Sequence, residues 1–400
     1  MRIVYLSASG RIGGAERVLL DLVASLRAAE PEWEIHVVVA GEGPLVGAAM
    51  ALGALVHPLL FPGALERTGD AGGGSGPLLL LRLLAAGPAG ARWLGRLRRL
   101  LRRLGPDIVH TNGFKVHVAG ALALPPGARL VWHAHDYLSS RRLMAGALRR
   151  LAPRASACVA ISRSVAEDVR RVCGPGLRID VVHNAVDLAR FSPDGPRAPL
   201  DALAGMPAAP SSTVRVGLVA TMGLWKGHDV FLRALALLPP ELGIRGYVVG
   251  GRIYATAGSE VDPEALKRTA AELGIAERVG FTGFVDDPAA AMRALDVVVH
   301  ASTQPEPFGL VIAEAMASAR PVIVSAAGGA GEIVRDGIDA VAVPPGDASA
   351  LAEAIRRLAG DAGLRARLGA AGRVRAEADF DRARLAGDVA PLYRSLAGGR

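Results

Sequence analysis

The sequence predicts an α/β protein made of two parallel-sheet, Rossmann-like units in tandem. With 400 residues, 51% of them apolar, the chain is too long for one ordinary open-sheet domain and can bury two cores. Strand-like runs alternate with segments of helical period, which is typical of a parallel sheet covered by helices. The alternation begins again near Val214, after a proline-rich stretch that interrupts regular structure.

Six strands are predicted in the first unit. They occupy residues 3–7, 34–40, 54–59, 107–112, 129–135 and 156–161. Between the first two strands, residues 15–29 carry apolar side chains at helical spacing on one face, which predicts an amphipathic helix. The first unit is therefore predicted to be a β-α-β repeat.

The second unit repeats this pattern. Its predicted strands occupy residues 214–220, 247–249, 279–284, 297–300, 322–325 and 340–343. We place the boundary near Asp187, which gives a first domain at 1–186, a second at 187–378 and a final helix at 379–400. Asp379 and Asp381 resemble a metal-binding Asp-x-Asp pair, but an N-cap role for Asp379 at the start of the last helix is the favoured interpretation.

The charge distribution favours an anionic partner for the first half. The formal net charge is +8; residues 1–186 carry 23 basic and 13 acidic side chains, whereas residues 187–400 carry 23 and 25. Arg92, Arg96, Arg99 and Arg103 form one stripe of a predicted helix, which indicates either a solvated face or contact with an anionic membrane. Aromatic residues make up 4% of the chain, which argues against nucleic acid binding.

Cysteine content and the first residues suggest a cytoplasmic protein. The two cysteines, Cys158 and Cys173, belong to no cluster that could hold a metal, and they do not form a disulfide framework. The apolar run at residues 3–7 passes directly into glycine and charge, so it is predicted to be a strand and not a signal peptide.

Residues 305–317 carry the most specific motif. Pro305 and Pro307 prevent a helix before Phe308, so Glu306 is expected in a loop, with Glu314 on the second turn of the helix that follows. Both carboxylates come after a strand, where open α/β sheets bind ligands.

Such a segment offers two kinds of group to a ligand. Free backbone N–H groups of Phe308, Gly309 and Leu310 can meet phosphate or sugar oxygens, and carboxylates can accept hydrogen bonds from paired hydroxyls. A nucleotide sugar supplies both. The alternative is that the two acids merely flank a helix N-terminus, where acids are favoured anyway.

A single lysine follows the first strand of the second unit. Lys226, three residues after Gly223, is expected to open a helix, where it can place a point charge beside helix N–H groups. That combination suits a diphosphate. A solvated cation at a helix start is the alternative interpretation.

Two glycines and two histidines mark the corresponding turns of the first unit. Gly13 and Gly14 lie between the first strand and the first helix, where backbone can approach a ligand closely or simply turn. His133 and His135 share one face of the fifth strand, and His135 is nearer its end. This pair could be half a metal site, but no third ligand follows at a sensible spacing, so a cleft wall is preferred.

The sequence resembles the retaining glycosyltransferases of family 4, because Glu306 and Glu314 match their Glu, seven residues, Glu motif. The resemblance implies the GT-B fold, with two facing Rossmann-like domains and a cleft between them, and a final helix that crosses back to the first domain. It also implies that Glu314 holds the ribose of the donor, Glu306 the transferred sugar, and His135 the donor sugar, while Gly13 and Gly14 face the diphosphate.

One position departs from the family pattern. Many members have an arginine five residues before the lysine, where this chain has Thr221. Arg252, after two glycines, is the candidate substitute for the missing phosphate contact.

The resemblance implies transfer of a hexose-type residue from a nucleotide diphosphate sugar to a hydroxyl, with retention and without a metal or other cofactor. A role in polysaccharide or glycolipid synthesis, with a sugar or lipid-linked acceptor, is the family expectation. Two alternatives remain open. A nucleotide-sugar epimerase would need no acceptor, and a non-catalytic binding protein would explain the absence of the arginine.

Overall fold

A computed structural model describes residues 1–62, 76–251 and 261–398. The chain divides into two compact units: unit 1 comprises Met1–Asn184 with Arg382–Arg400, and unit 2 comprises Ala185–Asp381. Each unit has one parallel sheet with helices between its strands, which confirms the predicted α/β class. The division lies after Asn184, close to the boundary that the prolines predict.

The described residues of unit 1 form a seven-stranded parallel sheet in the order β3-β2-β1-β4-β5-β6-β7. The strands are β1 (Arg2–Ser7), β2 (Glu34–Val39), β3 (Leu55–Pro58), β4 (Ile108–Asn112), β5 (Arg129–Ala134), β6 (Ala157–Ala160) and β7 (Ile179–Val181). The chain moves outward from β1 to β3 and then returns to place β4 on the other side of β1. The loops that leave β1 and β4 therefore diverge, as they do at ligand sites of open sheets.

Helices cover this sheet. They are α1 (Gly14–Ala29), α2 (Leu45–Ala51), α3 (Gly76–Leu104), α4 (Phe114–Ala123), α5 (Arg142–Leu151) and α6 (Arg163–Cys173). The apolar face of α1, which includes Val18, Leu22 and Leu26, is fully buried, as its helical spacing predicts.

Unit 2 repeats the plan, and outside residues 252–260 it has six parallel strands in the order β10-β9-β8-β11-β12-β13. They are β8 (Val214–Val219), β9 (Ile244–Val249), β10 (Val279–Gly283), β11 (Val297–His300), β12 (Val322–Ser325) and β13 (Val341–Val343). Here β8 and β11 are the neighbours between which the chain changes direction across the sheet.

The helices of unit 2 are α7 (Leu200–Leu203), α8 (His228–Ala236), α9 (Pro263–Glu272), α10 (Pro288–Ala294), α11 (Leu310–Ala317), α12 (Gly329–Glu332), α13 (Ala348–Gly360) and α14 (Ala362–Asp379). A final helix, α15 (Arg384–Gly398), belongs to unit 1 and packs against α1. Among the described residues, no helix has the length and apolar character that a membrane span requires.

Most predicted strand ends agree with the structure to within one residue, and three features differ by more. Strand β7 was not predicted, because its three residues include the charged Asp180 and carry no period. Strand β9 begins three residues earlier than predicted, since Arg245 and Gly246 interrupt its apolar run. The prediction that Asp379 opens the last helix was wrong: Asp379 ends α14, where its carboxylate pairs with Arg375 at 2.7 Å.

A close backbone approach holds together the loops after β8 and β11. Gly227 has φ of +74°, and a Cβ placed there would lie 1.8 Å from the carbonyl oxygen of Ala301. The Thr303 N–H also donates to the Trp225 carbonyl at 2.8 Å. Only glycine allows both the left-handed conformation and this contact, so Gly227 fixes the spacing between the two loops.

We expect Gly227→Ala to lower the free energy of unfolding by about 2 kcal/mol or more, because the added methyl group meets backbone. Gly243→Ala is the matched control, since Gly243 also has positive φ, +61°, but has no atom within 4 Å of an added Cβ. Its cost should be about 1 kcal/mol, from conformation alone. Chemical denaturation measures both, and equal costs would contradict the role given to the Ala301 contact.

Candidate functional site

The sequence-predicted residues of unit 2 collect at the carboxyl ends of β8 and β11. Lys226 ends a short 3-10 turn, Leu224–Lys226, after β8, and Glu306 lies in the loop after β11. These strands are parallel neighbours, so their carboxyl ends meet at one edge of the sheet. Lys226 precedes α8, which begins at His228, and does not itself open the helix as predicted.

Lys226 and Glu306 form an ion pair at this edge. The Lys226 Nζ lies 2.7 Å from Glu306 Oε1, and the side chains are 20% and 11% exposed. The Ser302 hydroxyl donates to Glu306 Oε2 at 2.6 Å, and His300 Nε2 lies 3.5 Å from the same oxygen. One carboxylate thus has a cation, a hydroxyl and an imidazole around it.

The surroundings hold Glu306 in its ionised form. Burial opposes ionisation, but the Lys226 ammonium and the His300 ring outweigh it and keep the pKa of the Glu306 carboxyl well below its ordinary value. At neutral pH the site therefore presents a carboxylate that accepts hydrogen bonds and an ammonium that donates them.

A glycine-rich segment supports the Glu306 backbone. The Glu306 N–H donates to the Ala327 carbonyl at 3.2 Å, and the Gly329 N–H donates to the Glu306 carbonyl at 2.8 Å. Gly328 and Gly329 precede and begin the short helix α12. This contact positions the carboxylate from the side of β12.

The second acidic residue lies on the helix that follows. Gly309, with φ of +90°, is the N-cap of α11, and Glu314 lies on the second turn, as predicted. Glu314 is 8% exposed. The predicted ligand contacts of Phe308 are backbone ones, and its ring is buried against Phe380 at a centroid distance of 6.0 Å. Leu310 is the first residue of the helix.

The remaining predicted residues of unit 2 have different outcomes. Gly223 caps the turn that carries Lys226, because the Lys226 N–H donates to its carbonyl at 3.0 Å. Thr221 lies just after β8, where the family pattern has an arginine, and its side chain carries no positive charge. Arg252 lies outside the described residues.

Unit 1 has a polar edge at the carboxyl ends of β1, β4 and β5. Gly13 is the N-cap of α1, its N–H donates to the Glu16 carboxylate at 3.2 Å, and Gly14 is the first helical residue. Burial raises the pKa of Glu16. His135 follows β5, and its Nε2 hydrogen-bonds the Asn112 Oδ1 at the end of β4.

The histidines of this edge are neutral. Burial lowers the pKa of His135 to about 3, and it also lowers the pKa of His133. The centroids of the two rings are 4.0 Å apart. A neutral imidazole has one donor and one acceptor nitrogen, which suits contact with a hydroxyl.

Sequence reasoning missed Asn112, His300 and Ser302. Each is the last residue of a strand or lies close behind one, at the same sheet edges as the predicted residues. Their position at or directly after the end of a predicted strand is the signal in the sequence that could have found them.

Two further sequence features have a structural outcome. Among the described residues, no group of three His, Cys, Asp or Glu side chains could hold a metal ion.

The basic face of α3 is exposed and its other face is buried. The exposed side chains are Arg92, Arg96, Arg99 and Arg103, and the buried ones are Trp93, Leu97 and Leu101. The predicted basic amphipathic helix is thus observed.

We expect the Lys226 and Glu306 pair to couple by about 2 kcal/mol in a double-mutant cycle with Lys226→Met and Glu306→Gln, because both side chains are mostly buried. The exposed pair of Lys267 and Glu264, 2.9 Å apart, is the control and should couple by about 0.3 kcal/mol. Urea unfolding of the ligand-free protein measures both.

The same cycle should depend on pH. Because the folded pKa of Glu306 lies below its unfolded value of about 4.5, the coupling is fully present above that value and is lost as the pH falls through the folded pKa. A coupling that is unchanged at acid pH, or no larger than that of the exposed pair, would contradict the assigned charge state.

Known families match both units. The description "Glycosyltransferase Family 4" matches residues 12–190, and "Glycosyl transferases group 1" matches residues 208–375. D-inositol 3-phosphate glycosyltransferase of Mycolicibacterium gilvum is 41% identical over 171 residues, and that of Mycobacterium tuberculosis is 39% identical over 203 residues. These matches cover 42% and 50% of this chain and span 36% and 39% of the two relatives.

Solved structures resemble the chain over its whole length. Anabaena HepE in complex with UDP and glucose is 25% identical, with a TM-score of 0.79 over 99% of this chain and 100% of that one. Sucrose-phosphate synthase from Thermosynechococcus elongatus has a TM-score of 0.77 at 22% identity, over 100% of both chains. The predicted GT-B class is confirmed by these neighbours. The chain belongs to the group 1 glycosyltransferases, with the family 4 pattern in its first half.

Proposed function

We propose that this protein is a retaining glycosyltransferase that moves a hexose-type sugar from a nucleotide diphosphate sugar to a hydroxyl acceptor, without a metal or another cofactor. The observation that carries the proposal is the Lys226–Glu306 pair at the edge where the loops that leave β8 and β11 diverge. That edge is where open α/β sheets bind nucleotides. It holds a cation for the diphosphate and a carboxylate that can accept hydrogen bonds from sugar hydroxyls.

The proposed donor site uses residues of both loops. Lys226 meets the diphosphate as a compact cation, and the start of α11, from Phe308 to Leu310, offers backbone N–H groups to oxygens. Glu306 accepts from hydroxyls of the transferred sugar, and Glu314 from the ribose. Gly223 and Gly309 supply the turns that place Lys226 and α11.

Unit 1 is assigned the acceptor side, and the 187–378 region the donor side. His135 contacts the donor sugar, while Gly13 and Gly14 present backbone to the diphosphate and acceptor. Charge that develops on the leaving diphosphate is stabilised by Lys226, which is already oriented by Glu306. The leaving phosphate takes the acceptor proton, so that no enzyme nucleophile is required for retention.

The descriptions of similar proteins indicate which substrates to test first. The HepE structure holds UDP and glucose, and the mycobacterial relatives are named for an inositol phosphate acceptor. We infer a UDP-hexose as the first donor to test and a sugar or lipid-linked hydroxyl compound as acceptor. A role in polysaccharide or glycolipid synthesis is part of this proposal.

Thr221 is the observation that favours a second candidate, a non-catalytic nucleotide-sugar-binding protein. Lys226 is then the main cation for the diphosphate among the described residues after β8, with Arg252 as the proposed substitute. An epimerase of the same fold is the other alternative, and it would convert the donor without any acceptor.

We expect one nucleotide among UDP, GDP, ADP and TDP to raise the thermal midpoint of the wild type, because ligand at 100 times its Kd adds about 2.7 kcal/mol. The shift should vanish in Glu314→Ala and remain in Glu264→Ala, which removes an exposed carboxylate of the same unit. Absence of any shift in a folded sample would contradict the donor site.

Product analysis separates the candidate activities. With the nucleotide sugar that binds, the wild type should release nucleotide diphosphate and form a glycoside of retained configuration, in the presence of a chelator. Formation of an isomeric donor without acceptor would indicate the epimerase, and tight binding without turnover would indicate the binding protein. A covalent sugar adduct on any side chain would contradict the proposed retention route.

We also propose that the stripe of Arg92, Arg96, Arg99 and Arg103 on α3 docks on an anionic membrane at its inner face. All four side chains are exposed on a helix whose other face is buried in unit 1, and the excess of basic over acidic side chains lies in residues 1–186. An acceptor in the membrane would explain such a surface.

Sedimentation with vesicles of phosphatidylglycerol and phosphatidylcholine tests this surface. Changing the four arginines to Gln should weaken binding by about a thousandfold, because each arginine near an anionic surface contributes about 1 kcal/mol. The same change at Arg268, Arg356, Arg357 and Arg367, four exposed arginines of unit 2, is the charge-matched control. Equal losses in both variants would show that net charge alone is responsible.

A further inference from the structure

The orientation of the Asn112 side-chain amide is fixed by its neighbours. The Asn112 Nδ2 donates to the carbonyl oxygen of Ala15, in the first turn of α1, at 3.1 Å. A carbonyl oxygen only accepts hydrogen bonds, so the NH2 group must face α1. The amide oxygen of Asn112 therefore faces the His135 ring.

This orientation determines which nitrogen of His135 carries the proton. Asn112 Oδ1 can only accept, and its partner is Nε2 of His135. Nε2 is thus the N–H nitrogen. Because burial lowers the pKa of His135 to about 3, the ring is neutral at physiological pH, and Nδ1 is left with a lone pair.

The other histidines around this ring are also neutral, and the nearby carboxyl groups have hydrogen-bond donors of their own. His110 on β4, His117 on α4 and His133 on β5 all have pKa values lowered by burial. The carboxylate of Asp136, the next residue along the chain, accepts from the Tyr137 N–H at 2.8 Å, and that of Glu16 on α1 accepts from Gly13. The hydrogen bond that His135 Nε2 donates is accepted by Asn112, which is uncharged.

We propose that Asn112 is a positioning residue that fixes the tautomer of His135 with the proton on Nε2, so that Nδ1 accepts a hydrogen bond from a hydroxyl of the transferred sugar. The inference deepens the proposed function and rests on it. Asn112 is 2% exposed and lies at the end of β4, whose neighbour β5 ends one residue before His135, so it acts through His135 and not on substrate.

An amide meets this requirement better than a carboxylate. Asp at this position would also accept from Nε2–H, but its charge would stabilise the imidazolium, which has no acceptor nitrogen. Ala would leave both tautomers available. Asn112→Asp should therefore impair transfer in a way that depends on pH, whereas Asn112→Ala should impair it equally at every pH.

The tautomer can be read directly by long-range proton–nitrogen NMR of the full chain labelled with ¹⁵N-histidine. His135→Gln assigns the signals of His135 among the nine histidines. The wild type should show the proton on Nε2 throughout the neutral range. Asn112→Asp should show an imidazolium that titrates at higher pH, and Asn112→Ala should show a mixture of tautomers.

Thr111→Val is the matched control. Thr111 is fully buried beside Asn112, and its hydroxyl is 2.6 Å from Nδ1 of another histidine, His117. This change removes a comparable buried hydrogen bond without touching His135. It should leave the signals of His135 and the pH profile of transfer unchanged.

Kinetics supply the second readout. Asn112→Ala should lower kcat/KM by about tenfold at every pH, which is the loss of one oriented hydrogen bond. Asn112→Asp should lose activity as the pH falls and recover toward the wild-type rate as it rises. Asn112→Ala keeps the test decisive if the Asp variant does not fold.

The outcomes separate this inference from the proposed function. A proton on Nδ1 in the wild type, or pH profiles of Asn112→Asp and Thr111→Val that both match the wild type, would overturn the role of Asn112. Absence of transfer by the wild type, with the NMR result as expected, would overturn the proposed function and leave the tautomer assignment intact.

Discussion

The parallel pairing of β8 with β11 is the constraint on which the candidate site depends. Strands β9 and β10 extend the sheet on one side and β12 and β13 on the other, so the loops that leave β8 and β11 diverge at one edge. Lys226 and Glu306 are 80 residues apart in sequence and 2.7 Å apart in space for this reason. The contact of Gly227 with Ala301 keeps the two loops close enough for the pair to form.

The two sheet edges repeat one topology with different chemistry. In unit 2 the edge is ionic, because a buried carboxylate is stabilised by an ammonium and a hydroxyl. In unit 1 the edge is neutral, because burial removes the charge of several histidines and an amide fixes the one at its end. An ionic site suits a diphosphate, and a neutral one suits hydroxyls, so the difference agrees with the roles proposed for Lys226 at the diphosphate and His135 at a sugar hydroxyl.

Much of the fold could be predicted from the sequence, since most strands are short apolar runs and helices such as α1 have apolar residues at helical spacing. Strand β11 and the loop, glycine and helix around Glu306 and Glu314 were found this way. The helix from Arg384 was placed too early, because an Asp before a helical run looks the same whether it ends one helix or begins the next. The edge strand β7 was missed because three residues carry no period.

The sequence alone determined the α/β class, the two units, the family pattern and the positions of Lys226, Glu306 and Glu314 after their strands, since all of these depend on local composition and spacing. Only the tertiary structure decided which strands are neighbours, and hence that Lys226 pairs with Glu306 and that Asn112 meets His135. The charge state of Glu306 and the tautomer of His135 also depend on the tertiary structure. Both depend on burial and on partners far away in the chain, which local spacing does not encode.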